Sequence, residues 1–279
     1  MAERSIVICG LPGSGKTTFL AALWHLVTER EIHTALQFGS LKNADHGHLN
    51  TIAARWRNAQ PQERTEIRSL RIVTMNLEDS SGNQVRVGFP DLSGEAYRRM
   101  WEERDCDVEV GDILKSGQGI LLFIHADRIH VPRSVVEEAE QTKALGIDSE
   151  ENAKERHWDP SVSPTQVKLV DILQMLNSPP LDIGPRRVAV MLSAWDKVLA
   201  EERTPEVFLR ERLPLLDQYL RGGNSIDGWR VYGVSAQGGD FETEAEALRA
   251  KDIASMRIRL FSGNNESHDL TEPLQWLMQ

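Results

Sequence analysis

The sequence predicts an α/β fold: a mostly parallel sheet with one antiparallel hairpin strand, and helices on both faces. Two observations carry that expectation. Short apolar runs bounded by turn residues recur along the chain, the pattern of strands buried on both faces. Stretches with apolar residues at helical spacing fall between them, so strand and helix alternate. No internal repeat or low-complexity tract interrupts the alternation.

The first strand is Ser5–Cys9, "SIVIC", a β-branched run. A glycine-rich turn follows, and from Gly15 to about Thr28 the residues Phe19, Leu20, Leu23, Trp24 and Val27 share helical spacing. Residues 68–78 and 84–89 alternate in polarity and are joined by "DSSGN", which reads as a hairpin. "GILLFIHA" (Gly119–Ala126), "RVAVMLSA" (Arg187–Ala194) and "WRVYGVSA" (Trp229–Ala236) complete the strands. One helix is expected over Gly94–Arg104. Another starts at Ser163, where "SPTQ" combines a capping serine, a first-turn proline and a glutamine three residues on. A third starts at Thr204 and should be split by Pro214, and a last one lies in the terminal "DLTEPLQWLM". Residues 30–64 and 128–162 lack a strand pattern, the second being rich in glutamate; both read as insertions in a single domain spanning 1–279.

Composition narrows the function classes. Hydrophobic residues make up 40% of the chain, enough to bury a substantial core. A net charge of -10 argues against a broad nucleic-acid footprint. Two cysteines, Cys9 and Cys106, cannot build a disulfide framework and carry no metal-ligand spacing. No apolar run is long enough to span a bilayer, and the opening "MAERSIVICG" lacks a signal-peptide pattern. The expectation is a cytoplasmic protein with neither a membrane nor a nucleic-acid partner.

Gly10-Leu-Pro-Gly-Ser-Gly-Lys-Thr17 matches G-x-x-x-x-G-K-[ST] without a gap. Glycines let the backbone wrap a polyphosphate and aim its N–H groups inward, and the helix N-terminus adds partial positive charge. Gly10, Gly13, Ser14, Gly15, Lys16, Thr17 and Thr18 are therefore the expected phosphate-binding residues. Lys16 would bridge the β- and γ-phosphates, and the Thr17 hydroxyl would ligate Mg²⁺. The motif sits between a buried strand and an apolar-striped helix, the context it requires.

Four further signals bear on the nucleotide. Asp91-Leu-Ser-Gly94 follows a strand, where the aspartate can hold Mg²⁺ through a water and the Gly94 N–H can reach the γ-phosphate. Asp196 ends the Arg187–Ala194 strand region, where a carboxylate can accept from guanine N1–H and the 2-amino group. Ser235-Ala236 can present a backbone N–H to guanine O6. Thr65 stands ahead of the 68–78 strand, positioned to complete the Mg²⁺ shell, and its neighbour Arg64 could reach transition-state charge in cis.

In this order the elements resemble the Ras-like GTPase superfamily, within the translation-factor-related class of P-loop GTPases. "FPDLSGE", "GLPGSGKTTFLAALWH" and "TEPLQWL" look more narrowly like bacterial double-GTPase proteins, which act with a second GTPase in multi-component conflict or signalling systems. The resemblance implies a three-layer P-loop NTPase G domain that binds GTP and GDP with Mg²⁺. It also implies hydrolysis, and output to a protein effector or second GTPase, or through a nucleotide-dependent dimer. Two departures stand out. Ser193-Ala194 replaces the family's Asn-Lys, leaving Trp195 and Lys197 to compensate, and Glu95 replaces the water-orienting glutamine, which implies slow intrinsic hydrolysis. His46 and His48 read as a surface pair and His125 as a structural histidine at the nucleotide edge of the sheet. Two rival functions remain: an ATP-dependent small-molecule kinase with 128–162 as its lid, and a non-catalytic nucleotide-binding scaffold.

Overall fold

The computed structural model describes residues 4–42, 46–62, 73–89, 94–132, 159–222 and 225–279. Its centre is a nine-stranded mixed sheet. In chain order the strands are β1 (Arg4–Gly10), β2 (Gln37–Lys42), β3 (Val73–Glu78), β4 (Gln84–Phe89), β5 (Gly119–His125), β6 (Arg186–Ser193), β7 (Ile226–Ser235), β8 (Arg259–Ser262) and β9 (Asn265–Ser267). In space they run β2-β3-β4-β1-β5-β6-β7-β8-β9. The five from β4 to β7 are parallel, as expected for apolar runs separated by helices.

The edges differ from the expectation of one antiparallel hairpin strand. Four pairings are antiparallel: β2 with β3, β3 with β4, β7 with β8, and β8 with β9. The extra strands, "QFGSLK", "RLFS" and "NES", are short and largely polar. β2 and β9 are the sheet's edges and β8 lies between β7 and β9; runs this short carry too little pattern for hydropathy to mark them.

The helices are α1 (Lys16–Glu29), α2 (His46–Arg57), α3 (Glu95–Glu102), α4 (Val108–Ser116), α5 (Thr165–Leu176), α6 (Pro205–Arg212), α7 (Pro214–Gly222), α8 (Ala245–Arg249) and α9 (Glu272–Leu277). Pro214 does split the expected helix, and Thr204 caps the first half by accepting from the Val207 N–H at 3.4 Å. The 30–64 insertion is structured in part, since it supplies β2 and α2. Residues 133–158, most of the other insertion, lie outside the described residues. No described helix is long and apolar enough to cross a membrane.

Strand alternation sends Ile6 and Ile8 into one hydrophobic cluster with α1, and Val7 and Cys9 into another with α4 and α5. From Phe19 to Val27 every residue of α1 is buried, because the sheet covers one side and α2 another. That burial includes His25, only 3% exposed, whose Nε2 lies 3.3 Å from Glu31 Oε2 and whose ring rests on Trp56. Burial pushes the imidazole pKa below its usual 6.5, outweighing the attraction of Glu31.

The unfolded chain therefore binds this proton more readily than the native one. The stabilisation is complete above about pH 6.5 and is lost as pH falls through the depressed native value. Thermal melts of the full chain between about pH 7.5 and 5.5 should show stability falling on the acid side. His25→Gln should lower stability at the upper pH and flatten the slope; equal slopes in both proteins would exclude this histidine as a source.

Candidate functional site

The parallel strands β1, β5, β6 and β7 all point their C-terminal ends at one edge of the sheet, where open α/β sheets bind ligands. At that edge the chain turns from β1 through Gly10–Gly15 into α1. Gly15 caps α1 at φ 91°, and a Cβ there would lie 2.8 Å from Ser193 Oγ, so only glycine admits this approach. Ser193, the last residue of β6, donates its hydroxyl to Ser14 O at 2.8 Å. The loop is thus tied to the end of β6, the strand that leads to Asp196.

Lys16 is 2% exposed and donates to Gly10 O at 2.8 Å, Leu11 O at 3.0 Å and Ser14 Oγ at 3.4 Å. A charge so buried requires such acceptors. Its ammonium also lies 6.0 Å from the centre of the Tyr97 ring. Tyr97, on α3, is fully buried and donates its hydroxyl to Ile8 O at 2.8 Å, pinning α3 to β1. Gly94 caps α3 at φ 82°, with a would-be Cβ 2.6 Å from Pro12 N and 2.7 Å from Lys16 Nζ. The D-x-x-G glycine therefore lies against the phosphate loop. Cys9, beside the loop, has its thiol pushed up to about 11 by burial despite the nearby Tyr97, Arg186 and Lys16, which excludes it as a nucleophile.

Two adjoining cavities open here. One, of about 360 Å³, is lined by the loop from Gly13 to Thr18 and by Gln62, Arg128, Asp240 and Glu242. The other, of about 210 Å³, is lined by Gly15, Thr18, Phe123, Ala194, Asp196 and Ala236. His125, Arg128 and Gln237 line both. Ser235 is fully buried and donates its hydroxyl to Asp196 Oδ1 at 2.5 Å, which aims the carboxylate into the second cavity. A phosphate-loop cleft continuous with a cavity bearing an oriented carboxylate has the layout of a nucleotide site.

A family model described as Double-GTPase 1 matches residues 7–277. The chain belongs to this family. Membership supports GTP binding. No curated protein matches the chain. Among solved structures, the GTP-bound GTPase-like domain of Ski7 from S. cerevisiae is 14% identical, with 85% of this chain and 43% of that one covered and a TM-score of 0.43. The Arl6 BBS3 small GTPase from Trypanosoma brucei is 13% identical over 92% of this chain and 99% of that one, with a TM-score of 0.39. Era from Aquifex aeolicus is 16% identical over 88% and 56%, with a TM-score of 0.35. The chain thus spans less than two thirds of the length of the Ski7 and Era structures. Likenesses this distant say nothing of the site.

Within this Double-GTPase 1 chain the structure brings Gly10, Gly13, Ser14, Gly15, Lys16, Thr17, Thr18, Gly94, Asp196, Ser235 and Ala236 to one edge. Arg64, Thr65 and Asp91 lie outside the described residues. Glu95 opens α3 and accepts from Arg98 Nε at 2.6 Å; it lines neither cavity. Trp195 does not compensate for the missing lysine: it is 2% exposed, edge-on to Phe208 and pressed against Gly233. The left-handed turn at Ala194, φ 53°, precedes a 3-10 turn whose Trp195 lies in the hydrophobic cluster. Lys197 lines the base cavity but is engaged by Asp240 at 3.5 Å. Sequence reasoning missed Arg128, Gln62, Asp240 and Glu242, since loop residues carry no periodic signal. It did note His125, and the "HADR" that begins there was the available clue.

Gly94 and Gly82 share a similar positive φ, 82° and 79°, but nothing lies within 4 Å of a Cβ at Gly82. Gly82→Ala should cost only the left-handed backbone penalty of about 1–2 kcal/mol. Gly94→Ala should cost clearly more and weaken nucleotide binding. Equal denaturation midpoints with intact binding would show that Gly94 is not packed on the loop.

Proposed function

We propose that this chain is a GTP-binding, GTP-hydrolysing switch that signals to a protein partner. The observation that carries the reading is the Asp196 carboxylate, held by Ser235 in a cavity that opens into the phosphate-loop cleft. Guanine offers that carboxylate N1–H and a 2-amino group together; adenine offers neither in that pattern. On this reading the chain is one three-layer P-loop NTPase G domain with insertions at 30–64 and 128–162. The two hydrophobic clusters fed by alternate strand residues support the layering.

The loop amides orient the phosphates and Lys16 neutralises them, while Gly94 and Thr65 report the γ-phosphate by ordering the segments that carry them. Thr17, with Thr65 and Asp91, would hold Mg²⁺, which when bound supplies further neutralisation of the phosphate oxygens. The donor set fits that ion. Among the described residues no group of three or more His, Cys, Asp or Glu could hold a metal. Mg²⁺ needs only one or two protein oxygens, because phosphates and waters complete its shell.

Glu95 is the residue we assign to orienting the attacking water, and Arg64 to transition-state charge. Glu95 must first leave Arg98, which makes intrinsic hydrolysis slow and gives a partner something to accelerate. That partner is a protein effector, a second GTPase or a second copy of this chain, within a bacterial multi-component conflict or signalling system. Two unpaired cysteines are in keeping with the cytoplasm. The same Glu95–Arg98 pair favours one rival, a scaffold that binds nucleotide without turning it over.

GTP should displace a fluorescent guanine nucleotide far better than ATP. Asp196→Ala should weaken GTP by roughly 100-fold, since hydrogen bonds to a charged group are worth about 1.5–3 kcal/mol each, and leave ATP unchanged. ATP competing as well as GTP against the natural chain would overturn the guanine reading. In single-turnover assays Glu95→Ala should slow phosphate release on the order of 100-fold. An unchanged rate removes Glu95 from the mechanism, and no phosphate release with or without candidate partners would establish the scaffold.

A further inference from the structure

Arg128 ends the 3-10 turn that follows β5, and it lines both the phosphate-loop cleft and the base cavity. Its Nη1 lies 3.9 Å from where a Cβ on Gly13 would stand, so the guanidinium overhangs the phosphate loop. Among the described residues it makes no hydrogen bond and no ion pair. The other cations lining these cavities are committed: Lys16 to the loop oxygens, and Lys197 to Asp240. In the turn after β6 a methyl stands at Ala194, and the two charges that follow are both engaged, Asp196 by Ser235 and Lys197 by Asp240. His125, which lines both cavities with Arg128, has a buried Nδ1 with no hydrogen-bond partner among the described residues.

We propose that Arg128 is a second positive grip on the nucleotide, closing on its phosphate chain where the base and phosphate cavities meet. The inference rests on the nucleotide-binding reading above and adds to it the residue that joins the two subsites. A guanidinium suits this place because its planar fork can give two parallel hydrogen bonds to phosphate oxygens, which an ammonium cannot. Its position beside both cavities puts it near the part of the nucleotide common to GDP and GTP. It is therefore a binding residue for both, not a group that acts only as the γ-phosphate leaves.

The test is the affinity of the full chain for fluorescent GDP and GTP, with Arg128→Ala and Arg128→Lys as variants. Arg128→Ala should weaken both nucleotides about 10-fold or more, the loss expected for a charge-assisted contact. Arg128→Lys should recover part of that loss, and the preference for GTP over ATP should not change. Without nucleotide the alanine variant should melt with the natural chain, because the side chain is exposed and bonds to nothing. Equal affinities in natural and alanine proteins overturn the proposal, as does a slower hydrolysis with both affinities intact. If the natural chain binds no guanine nucleotide, the reading beneath it falls as well, so the two failures are distinct.

Discussion

The Ser193 hydroxyl on Ser14 O, at 2.8 Å, joins the two halves of the site. One half is the phosphate loop at the end of β1; the other is the turn at the end of β6 that carries Asp196. Their separation along the chain is large, and only the sheet brings them to one edge. The bond is possible because Gly15 has no side chain to keep Ser193 away. A serine here does the tethering, so the loop remains fixed although the Asn-Lys pair of the resembling family is missing. Beside that tether Arg128, in the turn after the neighbouring β5, reaches over the loop.

Electrostatics follow from that geometry. The ammonium of Lys16 is nearly buried, and the loop carbonyls hold it where a polyanion would otherwise have to desolvate it. Carboxylates line both cavities: Asp240, beside Lys197, and Glu242 in the phosphate-loop cleft, and Asp196, held by Ser235, in the adjoining one.

The 30–64 insertion is more than a decoration. Trp56 on α2 donates its indole N–H to Ala236 O at 2.8 Å, so α2 bonds to the loop after β7. Arg257 secures the same tryptophan from below, 4.3 Å from its ring and donating to Trp56 O at 2.9 Å. Asn50 on α2 meets Trp24 on α1 in the same way, side chain to side chain at 2.9 Å. α2 is therefore bonded both to the loop after β7 and to α1, the helix that follows the phosphate loop.

Much of this was legible in the sequence, for a physical reason. The phosphate loop is contiguous: its glycines, lysine and threonine act through their own backbone, so spacing alone determines the geometry they can adopt. The five parallel strands are buried on both faces and so must be apolar throughout, and Pro214 breaks a helix wherever it is placed. Asp196 and Ser235 could be proposed as base readers from their order along the chain. What the sequence left open depends on neighbours far away in the chain. Strands β2, β8 and β9 exist because another strand offers them hydrogen bonds, and each is too short to announce itself. Trp195 turns inward because Gly233 and Phe208 leave room for it, and Arg128 overhangs the loop because β5 ends beside β1. Local rules set which elements form; packing between them decided which side chains face the nucleotide.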